Sequence, residues 1–337
     1  AGEWIEVTLH NCFDPNRPIP YNEYPVVPLD LPHVPSNRVS LNPQFLKYDP
    51  IHSSGINVGY NAAEQTAGPG ETIKYLWYAD QEYGTCLLNS FGDLRNHRHH
   101  GMFGAIIIEP PAARYYDTIC PLDENHKEQA VVVAPGVETF REFVLFAHNG
   151  IRLLDSDGNL IKTTEQGGDG GHEAPDAEDT GEKGYNYRSE RFYNRLIRVP
   201  IIHKVFDSKV HGDPATPVFT AYCGERVIIR LLMPADKPRN ISFLLHGHEW
   251  RSQPDDPFSN IVPIQGAMSV GNVHNIELLG GASKLPGDYL YRSGSLRWDV
   301  ESGMWGILRI KFRNLFWHCE NACRNIRQWW EKKRFEK

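Results

Sequence analysis

Five histidines in two tight groups are the residues best placed to do chemistry in this chain: His97, His99 and His100, and then His246 and His248. Neutral imidazole is the commonest side-chain ligand for transition metals, so each group is a candidate metal site. Three histidines within four residues rarely all reach one ion. Arg95 and Arg98 stand among them, and nearby cations disfavour a bound cation. The competing role for this stretch is a solvated or interface loop whose imidazoles bond to their neighbours. His246 and His248 are two residues apart, so on a strand they share a face. Ile241 and Leu244 make the rest of that stretch apolar, which favours structural histidines. A third group, His318 with Cys319 and Cys323, has cysteines one helical turn apart, but the histidine would point about a quarter turn away. Asp155-x-Asp157-Gly158 opens like a calcium loop without the later glutamate. A β-turn explains it as well, and calcium is not expected. No catalytic set of side chains emerges.

These residues need a scaffold, and the sequence describes an all-β one. The chain has 337 residues, 40% of them hydrophobic and 23% charged, enough for two packed domains of ordinary size. Twenty-nine glycines and 24 prolines suit many turns between strands. A formal net charge of -7 argues against nucleic acid as a main partner. No apolar run approaches the ~18 residues of a membrane span. Six cysteines lack a Cys-x-x-Cys spacing; they could be thiols or a few disulfides. The chain starts directly in a strand-like segment, residues 4–9, as a mature, processed or excised chain would.

Alternating or β-branched stretches predict strands at 3–11, 38–45, 72–79, 105–109, 130–133, 142–146, 217–223 and 226–233, with more at 237–250, 289–291 and 307–310. Prolines crowd residues 15–35 and exclude helix there. Residues 155–183 are acidic and glycine-rich, too polar to bury a core, and predict a long exposed loop. Residues 185–195 are rich in Arg and Tyr, which suits either a core–surface seam or pairing with that acidic loop. The tail, 314–337, has no proline or glycine and spaces its apolar residues near a helical period, which predicts a basic amphipathic helix. Trp329 and Trp330 with Lys332, Lys333 and Arg334 are its candidate interface residues, for a partner subunit or a membrane surface.

The sequence repeats one pattern. Residues 286–310 run turn, strand, polar loop, Gly303-Met304 and strand; residues 84–110 run strand, polar loop, Gly101-Met102 and strand. With Leu245-His246-Gly247-His248, this pattern resembles the copper-site closure of the multicopper oxidase family, and most closely the last two cupredoxin domains of bacterial manganese-oxidase-like members. The resemblance implies two tandem Greek-key β-sandwiches, 1–126 and 127–313, with 155–183 inserted in the second and 314–337 appended. It implies copper ligands at positions that here carry Asn42, Gln44, Asn89, Ser90, Leu244, Arg292, Ser293 and Asp299. The blue-copper thiolate would fall at Ser90 and Ser293. Copper is therefore expected at less than the family's full complement. The implied role is a structural or assembly module of a larger oxidoreductase or extracytoplasmic complex, homo- or hetero-oligomeric. The alternative is an active oxidase subunit, oxidising a metal ion such as manganese, whose ligands a partner chain completes.

Overall fold

A computed structural model describes residues 1–16, 35–116, 128–151, 182–234 and 240–312. The tail with Trp329, Trp330, Lys332, Lys333 and Arg334, the His318–Cys319–Cys323 group and all but the end of the acidic loop lie outside the described residues.

The first sandwich is two three-stranded sheets. One has the order β1 (Glu3–His10), β4 (Thr72–Ala79), β3 (Lys47–Tyr48); the other has β2 (Asn42–Pro43), β5 (Gly84–Asn89), β6 (Phe103–Ile108). Alternation drives it: Tyr75, Trp77 and Ala79 on β4 turn inward and bury against Leu46, Cys86 and Ile108. The predicted strand over 38–45 shrinks to two paired residues. Pro43 has no N–H to give a ladder, and Phe45 turns the chain at φ 65°.

The second sandwich is larger. β17 (Val273–Glu277), β12 (Val227–Leu232), β9 (Phe140–Ile151), β8 (Gln129–Val133) and β7 (Arg114–Tyr116) form one sheet in that order, with β10 (Glu182–Tyr185) paired to β9. β11 (Val218–Tyr222), β19 (Trp305–Lys311), β18 (Gly287–Ser293), β13 (Ile241–Leu245) and β16 (Ile264–Met268) form the other. A short ribbon, β14 (Trp250–Arg251) with β15 (Ile261–Val262), closes one end. The core between the sheets contains Phe143, Leu145, Phe219, Phe243, Trp250, Tyr291 and Met304. β7 hydrogen-bonds to β8, so residues 114–116 belong to the second sandwich's sheet although they precede residue 127. Helix among the described residues is short: α1 (Leu94–His99), α2 (Phe192–Leu196), α3 (Ser208–His211) and single turns.

The two sandwiches meet over a buried ionic joint. Arg230 on β12 donates to Glu109, just past β6 of the first sandwich, and to Glu142 on β9 at 2.9 Å. Its third arm reaches Asn275 at 2.9 Å, which in turn accepts from Thr85 at 2.8 Å. Tyr187 stacks on Phe103 at 5.1 Å and completes the contact. Within the Arg- and Tyr-rich stretch Tyr187 reaches the first sandwich, while Arg195 is buried inside the second, against Glu190 at 2.8 Å and over Trp305 at 4.6 Å. Arg191 pairs with Glu182, at the very end of the acidic stretch.

Candidate metal centres

In the first sandwich the expected ligand loop folds as strand, short helix, turn, strand. Asp93 caps α1 by accepting from the Asn96 N–H at 3.1 Å, which a polar loop with Asp three residues before Asn can do. That helix brings His97 back against Ser90, at the end of β5. His97 Nε2 lies 2.8 Å from the Ser36 carbonyl, which can only accept, so Nε2 carries the proton. Nδ1 therefore accepts, from the Ser90 hydroxyl at 2.8 Å. Ser90 Oγ in turn accepts from the Ser40 N–H at 3.2 Å, and Ser40 Oγ accepts from Phe91 N–H at 2.9 Å. Ser90 and His97 are buried, and burial holds the His97 pKa below its ordinary value. The Ser90 and His97 protons each have a place, and both nitrogens of His97 are engaged.

The other first-sandwich positions do different work. Asn42 faces Asn89 across β2 and β5 and donates to the Ser54 carbonyl at 2.7 Å. Asn89 is buried with its side-chain oxygen lacking a hydrogen-bond partner. Gln44 reaches across to the second sandwich and donates to Gly271 O at 2.8 Å. His99 ends α1 and is buried, and His100 is the residue after it. Cys86, on β5 four residues before Ser90, is a free thiol whose pKa burial pushes up to about 12.

In the second sandwich the same place holds a different pair. The Ser293 hydroxyl, at the end of β18, donates to Asp299 at 2.6 Å, and both are buried. Asp299 sits in a π-helical turn, Leu296–Val300, that replaces the polar loop. Main-chain bonds from Ser293 N to Met304 O and from Met304 N to Asp299 O, 3.0 and 2.9 Å, tie the turn to β19. Met304 is wholly buried. Tyr185 from β10 packs edge-on to Tyr291 at 5.3 Å; its hydroxyl is buried without a hydrogen-bond partner, and burial beside Asp299 pushes its pKa up.

His246 and His248 follow β13, but they do not converge. Leu244 faces Arg292 across β13 and β18, and the Arg292 Nε–H donates to His246 Nε2 at 3.0 Å. An arginine cannot accept, so the lone pair of Nε2 is spent on the guanidinium. Burial and the Arg292 charge both lower the His246 pKa. His248 accepts from Ser283 N–H at 3.1 Å and so donates through Nδ1 to His246 O at 3.0 Å. It stands edge-on to Tyr289 and lines a cavity of ≈ 470 Å³ beside the loop 279–284.

These donor sets do not fit copper. At the positions where the resemblance would put a thiolate stand the Ser90 and Ser293 hydroxyls, and the imidazole lone pairs at His97, His246 and His248 are all engaged by protein donors. Among the described residues no three His, Cys, Asp or Glu side chains gather as a metal-binding group. Ser36, Ser40 and the Arg230 joint carried no signal in the sequence, because each meets its partner across a large separation along the chain.

No family model and no curated protein matches the chain. Solved structures do. A copper nitrite reductase from Nitrosomonas europaea superposes with a TM-score of 0.52 at 18% identity, covering 92% of this chain and 80% of its own. A multicopper oxidase superposes with a TM-score of 0.49 at 15% identity, covering 81% of this chain and 70% of its own. The fold is that of tandem cupredoxin domains.

Proposed function

We propose that this chain is a two-domain cupredoxin module, like those of multicopper oxidases, whose copper positions are closed by hydrogen bonds. Its role in this reading is structural, as an assembly subunit of a larger, extracytoplasmic oxidoreductase complex. One observation carries the reading. At each thiolate position a buried serine bonds to the side chain of the following turn, Ser90 to His97 and Ser293 to Asp299. A site consolidated this way gains from being left without metal, since a bound ion would strand the buried donors. Docking through the 314–337 tail, with Trp329 and Trp330 as anchors, belongs to the same proposal.

The test is metal analysis of the purified chain, then copper titration followed by visible absorption. The expected result is no stoichiometric copper and no intense thiolate-to-copper band. Several coppers per chain with a blue colour would overturn the reading in favour of an active subunit with partner-completed ligands. In that case Arg292 must release His246 for the metal to bind.

A further inference from the structure

β1 is an outer strand of its sheet, with β4 on one side and, among the described residues, no strand paired to its other edge. Its register with β4 runs without a bulge from Glu3↔Ala79 to His10↔Thr72. Just beyond, the Asn11 N–H donates to Glu71 O at 2.9 Å. Main-chain groups alternate sides along a strand, so the odd residues of β1 point their N–H and C=O at β4. Trp4, Glu6, Thr8 and His10 therefore point theirs at the free edge. The described residues offer that edge one contact, Cys12 Sγ to His10 O at 4.0 Å.

Natural edge strands are blunted by proline, charged side chains, a bulge or shortness. Of these β1 has only the charges of Glu3 and Glu6: it is eight residues, EWIEVTLH, in unbroken register with β4. Its inward side chains, Ile5, Val7 and Leu9, are only half-buried, although they pack on the first sandwich's core. On the outer face Trp4 is 66% exposed and lies on Tyr78 at 4.9 Å.

We propose that the free edge of β1 pairs with β1 of a second copy of this chain, antiparallel about a two-fold axis at Val7. The sequence of the strand is self-complementary about that point. Val7 meets Val7, Ile5 meets Leu9, Trp4 meets His10, and Glu6 meets Thr8 of the other copy. The parity agrees: the pairs of edge-facing residues become the narrow, hydrogen-bonded ones, about eight bonds at two per pair. Other centres fit worse. A two-fold at Glu6 sets glutamate against glutamate, and like charges directly opposite destabilise a sheet. A two-fold at Thr8 slides Trp4 off the end of the partner strand. The product is one six-stranded sheet running through both copies, with an isologous interface that closes on itself. It does not depend on the metal content of either sandwich.

Sedimentation velocity of the full chain over a concentration series tests this. The expected result is a monomer–dimer equilibrium. Glu6→Pro removes one edge-facing N–H and leaves the β4 ladder intact, so it should give a monomer with unchanged circular dichroism. Thr8 reports the register. Thr8→Glu opposes Glu6 twice per dimer and should raise the dissociation constant about tenfold, while Thr8→Lys should lower it. Should Glu6→Pro fail to fold, the two Thr8 variants decide. A wild-type chain that stays monomeric throughout overturns the proposal. So does a dimer whose affinity ignores these substitutions, or one that Thr8→Glu and Thr8→Lys shift the same way.

Discussion

The two sandwiches close the same position with different chemistry. In the first, Ser90, His97 and the Ser36 carbonyl form a neutral relay in which each proton has one place. In the second, Ser293 donates to a carboxylate, Asp299, beside the buried hydroxyl of Tyr185. A neutral relay costs little to bury when every group is matched; a carboxylate costs more, so each donor to it matters more. The contrast shows that the end of this strand can be closed in more than one way. The shared requirement is a turn that brings one polar side chain back over the end of the ligand strand. α1 supplies that turn in one sandwich and the π-turn in the other.

The largest effect is expected at the joint, and it asks whether the two sandwiches can be compared as parts of one unit. Arg230→Met leaves Glu109 and Glu142 buried without their cation, which typically costs about 3–5 kcal/mol. Adding Glu109→Gln and Glu142→Gln should recover much of it. Chemical denaturation checks both. If Arg230→Met leaves stability unchanged, or separates two transitions without lowering either, the joint does not couple the sandwiches.

The contrast itself is sharpened by removing one hydroxyl at a time. Ser293→Ala takes a donor from a carboxylate and should cost about 1.5–3 kcal/mol, while Ser90→Ala takes one from a neutral imidazole and should cost about 1 kcal/mol. Paired denaturation curves give the order. A larger loss for Ser90→Ala would mean that the relay, with Ser40 behind it, is the more consolidated of the two.

Much of this was legible in the sequence. The alternation of residues 3–11 and 72–79 fixed β1 and β4, and the two Gly-Met turns marked where β6 and β19 begin. So were Ser90 and Ser293, at the positions where the resemblance would put a thiolate. What replaces the ligands was not. A six-residue helix has too few turns to show a period, so residues 94–99 looked like loop. The partner of His97 is Ser36, 61 residues away, and that of Arg230 is Glu109, 121 residues away. Glu109 ended a predicted apolar strand and gave no sign of being buried. Local pattern specifies elements; pairing at such separations is decided by how the sheets pack.

The smallest effect separates the sandwiches by pH. Burial lowers the pKa of His97, and it presses that of His148, wholly buried on β9, down to about 3. Free imidazole titrates near ~6.5. Below that pH the unfolded chain binds protons that the folded chain refuses, so stability falls as the solution is acidified. Glu109 works in the opposite sense. Burial raises its carboxyl pKa, Glu142 beside it adds to the rise, and Arg230 opposes it. The folded chain therefore holds a proton that the unfolded chain has released above ~4.5, and stability falls as pH rises from there through the raised value. Melting temperature against pH should pass through a maximum on the weakly acidic side. His97→Gln, which can still accept from Ser90 and donate to Ser36, should flatten the acid limb in part and leave the alkaline limb alone. Glu109→Gln should flatten the alkaline limb alone. If His97→Gln leaves the acid limb as steep as in the wild type, the acid sensitivity belongs to the second sandwich's histidines of lowered pKa, His148, His246, His248 and His274, and the Ser90–His97 relay contributes none of it.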